Sequence, residues 1–428
     1  MNKFLFYGAV LALLSFFLVS CDKETEIPAD VNDAIEQAAK EGQVANEVQV
    51  AEVEKVVLPE TRLSLTDTEK NMIAPSNDYT FSFLRDHFKI DTDILFSPLG
   101  FQLTMAMAGN DSTSNKEVVS KIIGFGEDDY DVINDYFKHL IESLTGDKCN
   151  KELKVANALM KDVRATPFPE EFLEILKTSY YSEYVEIEAK LLEEQPKGSR
   201  PEDIWCREKT NGMIDSAPFT IYPGQSSLFN AVCFEGEWQD KFDKELTLPD
   251  QFFINSSKTV TVPLMNKQSK VSFYKNDDFS AVSLPFGDGT YNLSILLPQV
   301  PFNHHALLGK LDSGTWESMR NGLVNKEVIM SIPVFSTTYS LQLMEPALSA
   351  EFMFLAQNAI FRMDEDGASA AAVTQTWESI APGHSEEPKI ETFRANYPFI
   401  YTISESGSGL ILFIGIYSGA DKIEEIGE

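Results

Sequence analysis

Side chains suited to catalysis are sparse in this chain. Its five histidines are His87, His139, His304, His305 and His384. None of them lies in the HExxH pattern that binds zinc, and the chain contains neither a GxSxG nucleophile turn nor a phosphate-binding GxxxxGK. The adjacent His304 and His305 precede an amphipathic stretch, where a surface turn explains them better than a ligand pair. The sequence therefore predicts no enzyme, no metal site and no bound cofactor.

The four cysteines divide into one at the N terminus and three further along the chain. Leu18-Val19-Ser20-Cys21 ends an apolar run in the manner of a bacterial lipoprotein signal, so we expect cleavage before Cys21 and a lipid on its thiol. A retained membrane anchor is the alternative, although the run is shorter than the ~20 residues that a spanning helix prefers. Cys149, Cys206 and Cys233 lack CxxC and metal spacing, and at most one bridge could form among them. Their pairing stays open.

The most informative pattern of the chain is Glu365-Asp366-Gly367-Ala368-Ser369-Ala370-Ala371-Ala372-Val373-Thr374. Nothing caps it as a helix, and alanine is a poor strand former. A polar stretch follows as far as Pro398, and long loops of this kind are usually functional or disordered. If the segment were inserted between two strands, Ala368, Ala370, Ala372 and Thr374 would face one side, all compact enough for a preformed core. An alanine-rich surface linker is the alternative interpretation.

This segment resembles the reactive-loop hinge of serpins, a family of suicide inhibitors of proteases. Other motifs follow in the family's order: Phe96-Ser97-Pro98 and residues 104–109, 155–159, 205–214, 230–238, 262–265, 284–286, 296–298, 333–335, 393–399 and 411–415. The resemblance covers roughly residues 70 to 420. It implies an α+β fold with three β-sheets, about nine helices and an exposed reactive-centre loop. Asn230 and Trp238 would mark the region where the main sheet opens.

The resemblance also implies a reactive bond. By the family's spacing, the residue before the cut lies fourteen positions after Gly367, which is Ala381, followed by Pro382. A bond to proline is a poor protease substrate, so Ile380–Ala381 is favoured and an elastase-like specificity follows. A serine or cysteine protease would form an acyl-enzyme there. The freed hinge would then enter the sheet, and serpin loops are a known case of strand addition. Inhibition is thus a contest between insertion and hydrolysis.

A few residues depart from the family's pattern. Asp366 replaces the usual glutamate, which is compatible with insertion, and Ala368 is small and uncharged as inhibitory members require. Gly100 stands where a serine is usual and Asp203 where an asparagine is usual, which leaves the local hydrogen bonds open. Glu378 would face the core at the bottom of the inserted strand. A buried unpaired carboxylate is costly, so either that end stays wet or the last residues do not insert.

Composition and charge divide the chain into four parts. We expect a signal peptide at 1–20, an acidic flexible tether at 21–65, a folded serpin domain at 66–420 and an acidic tail at 421–428. A capped helix start is predicted at Thr66-Asp67-Thr68-Glu69. The domain can bury a substantial core, since 43% of the chain is hydrophobic. The net charge of −31 argues against nucleic acid, and an acidic stretch at 128–144 argues against heparin binding at the helix that some serpins use.

The partners implied are a target protease and, through the lipid on Cys21, a bacterial membrane. The exported chain would face the periplasm or the cell exterior, and we expect a monomer. Two alternatives from other classes remain. A non-inhibitory serpin would serve as a binding or carrier protein whose loop is cut without trapping a protease. An enzyme or adhesin on another fold would need a site that the sequence does not contain. The identity of the protease and the membrane face are not indicated.

Overall fold

The computed structural model describes residues 54–87, 92–126, 129–145, 152–191, 196–350, 352, 354–368 and 390–420. Its helices are α1 (Asp67–Lys70), α2 (Ile73–His87), α3 (Pro98–Gly109), α4 (Lys116–Ile122), α5 (Tyr130–Thr145), α6 (Glu170–Tyr180), α7 (Pro201–Lys209), α8 (His304–Leu308) and α9 (Ser313–Asn321). Its strands are β1 (Ile94–Phe96), β2 (Leu153–Asp162), β3 (Glu183–Ile187), β4 (Ser226–Phe234), β5 (Gly236–Glu237), β6 (Thr247–Phe253), β7 (Thr259–Lys275), β8 (Phe279–Phe286), β9 (Tyr291–Pro298), β10 (Val324–Pro333), β11 (Phe335–Met344), β12 (Phe354–Met363), β13 (Gly367–Ala368), β14 (Glu391–Arg394), β15 (Phe399–Glu405) and β16 (Ile411–Tyr417). None of these helices is long and apolar enough to cross a membrane. The predicted α+β class is confirmed.

The largest sheet has nine strands in the order β1-β16-β15-β9-β8-β7-β10-β14, with β6 paired to β7. Its pairings are antiparallel except for β14, which lies parallel to β10. Strands β15 and β16 are buried along their whole length. Their nearly continuous apolar sequences fit this position, because a strand covered on both faces does not alternate with polar residues. These two strands run through the centre of the main hydrophobic core.

A second strand region carries the segment of interest. It consists of the sheet β3-β2-β4 and the antiparallel hairpin β11-β12. Strands β4 and β12 are neighbours, but no hydrogen-bonded ladder joins them among the described residues. A short pairing of β13 with β5 lies at one end of this region. The described strands therefore form four hydrogen-bonded groups, where the sequence led us to expect three sheets.

Helix α3 forms the floor beneath β4. It begins with Ser97, whose Oγ accepts a hydrogen bond from Gly100 N at 3.2 Å, and Pro98 occupies its first turn. All of its residues except Thr104 are buried. An all-round apolar helix of this kind must be enclosed by other elements. It packs against β4 and β16 and so connects the two strand regions.

The folded domain extends further toward the N terminus than the boundary expected at residue 66. Residues 54–65, here called the strap, follow the surface as an irregular segment. Val56 N donates to Leu323 O at 3.0 Å, and Arg62 N donates to Glu405 Oε1 at 3.0 Å. Within the strap, the side chain of Leu63 is buried. The strap is ordered by these long-range partners. The acidic composition of the predicted tether as a whole gives no indication of them. The predicted helix cap at Thr66 is confirmed, since Thr66 Oγ1 and the Glu69 carboxylate exchange hydrogen bonds with each other's backbone.

Two of the three remaining cysteines lie in the described residues. Cys206 on α7 and Cys233 on β4 are both free and buried. Burial raises the pKa of Cys206 to about 12 and that of Cys233 to about 11. Neither thiol is therefore reactive near neutral pH, because thiolate is the nucleophilic form. Cys149 lies outside the described residues.

Candidate functional site

A tight turn connects β12 to the hinge. Asp364 N donates to Gly367 O at 3.0 Å, and Gly367 N donates to Asp364 O at 3.3 Å, so the two residues close a two-residue turn. The Asp364 carboxylate reinforces it by accepting hydrogen bonds from Asp366 N at 2.9 Å and Gly367 N at 3.2 Å. Aspartate is well suited to this position because its short side chain reaches backbone donors two and three residues ahead. The turn sends the chain back toward β4.

Gly367 occupies a place that no other residue could take without distortion. Its φ is +142°, a backbone conformation that side chains with a Cβ rarely adopt. A Cβ built there would lie 2.2 Å from Gly236 O and 2.6 Å from Glu237 Cα. Both contacts are with backbone atoms, which cannot move aside as a side chain can. The glycine thus allows the hinge to pack directly on β5.

Ala368 is already seated in the uncut protein. It pairs antiparallel with Gly236, and its exposed fraction is 1%. The surroundings are apolar, because a Cβ on Gly236 would lie 2.9 Å from the Phe234 ring and 3.2 Å from Phe286 Cβ. A small side chain is needed on both strands at this level. The hinge has therefore taken its first place beside the strand that continues β4.

Trp238 supports the hinge from inside. Its indole Nε1 donates to Asp364 O at 2.8 Å, and its backbone N donates to Asp366 O at 2.9 Å. The ring is stacked on Phe286 with 4.5 Å between centroids. These two hydrogen bonds satisfy the carbonyl oxygens of Asp364 and Asp366, which would otherwise receive no hydrogen bond from outside the turn. Trp238 consequently holds both ends of the turn in one position.

Two lysines hold the hinge from the outer side. Lys244 Nζ lies 2.6 Å from Asp366 Oδ2, and Lys241 Nζ lies 3.6 Å from Asp366 Oδ1. The ion pair with Lys244, with a smaller contribution from Lys241, lowers the pKa of Asp366 below its usual value and raises the pKa of Lys244. The pKa of Lys241 is raised mainly by Glu237, with Asp366 as a second cause. The Asp366 carboxylate is nearly buried, so it depends on these cations. Protonation of Asp366 at low pH would release this side of the hinge.

Asn230 lies further along β4, beneath the boundary with β12. Its Nδ2 donates to Asn157 Oδ1 at 2.7 Å, while its own Oδ1 is buried and makes no hydrogen bond in the described structure. Gln357 approaches from β12 and exchanges two hydrogen bonds with the Ser97 backbone. A Cβ added to Gly100 would lie 2.4 Å from Asn230 Oδ1 and 2.9 Å from Gln357 Nε2. Glycine at position 100 makes room for two amides, one from each strand.

Asp203 keeps a full set of hydrogen bonds in place of the asparagine that is usual there. Its carboxylate accepts from Gly198 N and Ala217 N, both at 2.8 Å, and from Arg200 Nε at 2.7 Å. Arg200 supplies the compensating charge for a side chain that is completely buried. The cluster fixes the start of α7 and the segment that follows it. The structure thus shows which hydrogen bonds form around Gly100 and Asp203, a question that the sequence left open.

The structure brings together some of the expected site residues and leaves others undescribed. Gly367 and Ala368 pair with β5, while Glu365 and Asp366 accept hydrogen bonds from the segment that follows β5, in which Trp238 lies. Asn230 is separate from this cluster and faces Gln357. The following expected site residues lie outside the described residues: Cys21, Ser369, Ala370, Ala371, Ala372, Val373, Thr374, Ile380, Ala381 and Pro382.

Sequence reasoning missed several residues of this site. Asp364 could have been found, because an aspartate three positions before a glycine is a turn signal. Lys244, Lys241 and Gln357 had no such signal. Their roles depend on contacts with residues distant in the chain, which the folded structure alone reveals.

Comparisons with known proteins all match members of one family. A family model described as Serpin (serine protease inhibitor) matches residues 74–354 and 353–419. An uncharacterized serpin-like protein of Thermococcus kodakarensis is 27% identical over 372 residues, which cover 81% of this chain and 85% of that protein. Human Serpin B11 is 27% identical over 296 residues, 62% of this chain and 74% of its own.

Solved structures show the same fold. Tengpin, a thermophilic serpin in its native state, superposes with a TM-score of 0.70 at 19% identity, covering 85% of this chain and 97% of its own. Thyroxine-binding globulin in complex with thyroxine gives a TM-score of 0.69 at 20% identity, covering 81% of this chain and 99% of its own. At these identities the likeness establishes the arrangement of elements and leaves the activity to be argued from the site.

Proposed function

Because the chain belongs to the serpin family, we propose that it is a suicide-type protease inhibitor. Its target is a serine endopeptidase, or a cysteine endopeptidase, with elastase-like preference for small apolar residues. The protease attacks a loop carbonyl and forms an acyl-enzyme. The hinge then enters between β4 and β12 before water can release the enzyme. The chain itself is consumed in the reaction and has no catalytic role.

The position of Ala368 is the observation that carries this proposal. The residue is buried and paired with Gly236, at the end of the boundary where β4 and β12 run side by side without a ladder. A segment that continued from Ala368 in the same direction would find unpaired backbone groups on both sides. Sheet formation satisfies such groups, and this drives strand addition. Cleavage would free the loop to complete the step that the hinge has begun.

The proposed reactive bond follows Ile380 or Ala381. The chain has no lysine or arginine between Gly367 and Lys389, so a trypsin-like enzyme has no site in this segment. An enzyme that accepts small apolar side chains does. Pro382 disfavours the cut after Ala381, which leaves Ile380 as the preferred residue.

Incubation with a panel of proteases tests the function. Purified protein is mixed with elastase-like, trypsin-like, subtilisin-like and papain-like enzymes, and the products are separated under denaturing conditions. A covalent band is expected with at least one enzyme, at the mass of the protease plus the chain up to the cut, because the fragment after the cut separates under denaturing conditions. Cleavage of the loop by one or more of these enzymes, without a covalent band from any of them, would refute the inhibitory function.

We also propose that the mature chain is exported and anchored to a bacterial membrane by lipid on Cys21. The support is the Leu18-Val19-Ser20-Cys21 motif at the end of an apolar run. Labelled fatty acid should be incorporated into the wild-type protein and lost in a Cys21→Ser variant. Equal incorporation into both would contradict the anchor.

A cavity gives some support to a second candidate function, that of a carrier protein. A cavity of about 330 Å³ lies between the strap, α2 and α9, and its lining includes Leu63, Leu65, Ile73, Trp316 and Ser408. Small-molecule sites commonly combine apolar walls with polar groups, and this cavity adds Lys70, Asn77 and Glu317 to its apolar side chains. Thyroxine-binding globulin shares the fold and is solved with thyroxine, so thyroxine is a reasonable first probe. A thermal shift with thyroxine, in a protein that traps no protease, would favour the carrier.

A further inference from the structure

Two pairings that already exist fix the register in which the loop would enter. On one side, Asp364 and Gly367 form a hydrogen-bonded pair that closes the turn after β12. On the other side, Gly367 and Ala368 pair with Glu237 and Gly236. In an antiparallel ladder, each step forward on one strand is one step back on its neighbour. The opposing residue on β12 and on β4 can therefore be assigned for every later position of the loop.

The two registers can be checked against each other. Counted from the turn, Thr374 falls opposite Gln357 of β12, and counted from β5, it falls opposite Asn230 of β4. Independently of the loop, the side chains of Gln357 and Asn230 meet at the same point above Gly100. Asn230 on β4 and Gln357 on β12 therefore already lie at the same height along their strands. No bulge is needed on either side, and the count can be continued to the end of β4.

Continued to that end, the register brings Trp377 opposite Phe354, the first residue of β12. Phe354 has an exposed fraction of 68%, which is high for a phenylalanine in a strand. Its cross-strand partner Met344 on β11 is exposed to 59%. The two form an apolar patch at the lower end of the hairpin, on the face that also carries Ile360. An exposed aromatic beside an unpaired strand edge calls for a partner.

We propose that Phe354 and Met344 form the seat for Trp377 when the loop is inserted, and that this contact secures the lower end of the inserted strand. The inference rests on the inhibitory function proposed above and adds a named receptor for the end of the loop. Aromatic side chains facing each other across a pair of strands contribute stability beyond the area that they bury. Trp377 would cover the patch from the inserted strand as Met344 flanks it from β11.

The opposite face at the next level suits Glu378. The register places Glu378 opposite Ser226, whose partner across β2 is Lys161. Lys161 is buried, its Nζ donates to Asp162 O at 3.1 Å, and it lies 3.7 Å from Glu186 Oε1. Lys161 Nζ lies on the β3 side of β2, so it would have to turn across the small Ser226 to meet a carboxylate beyond β4. In that orientation it would pair with Glu378 and remove the difficulty of an unpaired buried charge.

A disulfide test reads the register directly. Cysteine is introduced at Phe354→Cys together with Trp377→Cys, and the matched control pairs Phe354→Cys with Gln375→Cys, which strand alternation would place on the same face of the inserted strand two residues away. Directly opposed residues come within disulfide range and residues two steps apart do not. After the loop is nicked beyond Ser379 and mild oxidant is added, the first pair should cross-link and the control should not. Uncut protein should give little of either.

A double-mutant cycle tests the contact itself. Phe354→Ala, Trp377→Ala and the double variant are unfolded in guanidinium in cut and uncut form. A coupling of about fivefold in the unfolding equilibrium is expected in the cut protein, with none in the uncut protein.

These experiments distinguish failure of the Phe354 contact from failure of the inhibitory function. Cut protein that is strongly stabilised, yet cross-links through position 375 or shows additive effects, would overturn the Phe354 seat and leave the inhibitor intact. Cut protein that gains no stability at all would refute insertion, and with it both proposals.

Discussion

Ala368→Arg places a charge where the hinge must stay buried. The alanine pairs with Gly236, which lies close to Phe234 and Phe286, and its exposed fraction is 1%. An unpaired guanidinium in such surroundings costs of the order of 3 kcal/mol or more. The arginine would keep the hinge away from β5 in the uncut protein, so insertion would have to bury the charge and would slow by about 100-fold, since 1.36 kcal/mol corresponds to a tenfold change in rate. Hydrolysis of the acyl-enzyme would then win.

The assay is the stoichiometry of inhibition. A protease that forms the covalent band with wild-type protein is titrated with Ala368→Arg and with the matched control Ala368→Ser, whose side chain is nearly as small. The serine variant should trap close to one enzyme per molecule, whereas the arginine variant should be cut and released as a substrate. One-to-one trapping by Ala368→Arg would show that insertion does not require a buried side chain at position 368, and the reasoning would fail.

Three further predictions concern other parts of the molecule. Elastase-like enzymes should be inhibited far better than trypsin-like ones, because Ile380 and Ala381 are small and apolar; stoichiometric trapping of trypsin alone would contradict this. Gly100→Ser should lower the free energy of unfolding by about 1–3 kcal/mol in guanidinium, because its Cβ would lie 2.4 Å from Asn230 Oδ1; an unchanged midpoint would mean that the amide moves freely. Burial, followed by the nearby Asp288 charge, raises the pKa of Glu152 to about 7, so its contribution to stability is present below the ordinary carboxyl pKa and is lost as the pH rises through about 7. Glu152→Gln should therefore flatten the fall in stability between pH 5 and 8, and an unaltered pH profile would exclude that carboxyl as the cause.

Much of the hinge could be predicted from sequence because its constraints are local. The small residues after Gly367 indicate a segment whose side chains fit into a packed sheet, and the acidic residues before it indicate a turn. The ion pair of Asp366 with Lys244 could not be predicted in this way. A surface lysine gives no sign of its partner until the segment after β5 is folded against the turn.

The strap also depends on contacts with distant residues that could not be predicted from the sequence. Residues 54–65 carry no net charge and are rich in valine and leucine, but averaging over the acidic, aromatic-free tether predicted at 21–65 hides their buried leucines. Leu63 and Leu65 are buried, and the carboxylate of Glu405 accepts hydrogen bonds from Thr61 Oγ1 and Arg62 N. Order here comes from partners on distant strands. Composition predicts whether a segment can form its own core, and it cannot predict whether another part of the chain will provide one.

The register of the loop depends on both kinds of information. Strand alternation in the sequence indicates which loop side chains face the core, and this requires no structure. The residues that they meet are assigned only by the pairings of Gly367 and Ala368 on one side and of Asp364 on the other. Phe354 has no special sequence pattern, and its exposure on β12 is what identifies it as a receptor.

The most direct test of the account compares the stability of cut and uncut protein. The loop is nicked once near Ile380, the cut is verified by mass, and both forms are melted side by side. Cutting an ordinary loop leaves stability unchanged or lowers it, because the free ends gain entropy in the unfolded chain. Insertion between β4 and β12 would instead add two ladders of hydrogen bonds and bury the alanines of the hinge. We predict a sharply higher Tm for the cut form. An equal or lower Tm would contradict the inhibitory function and favour a carrier.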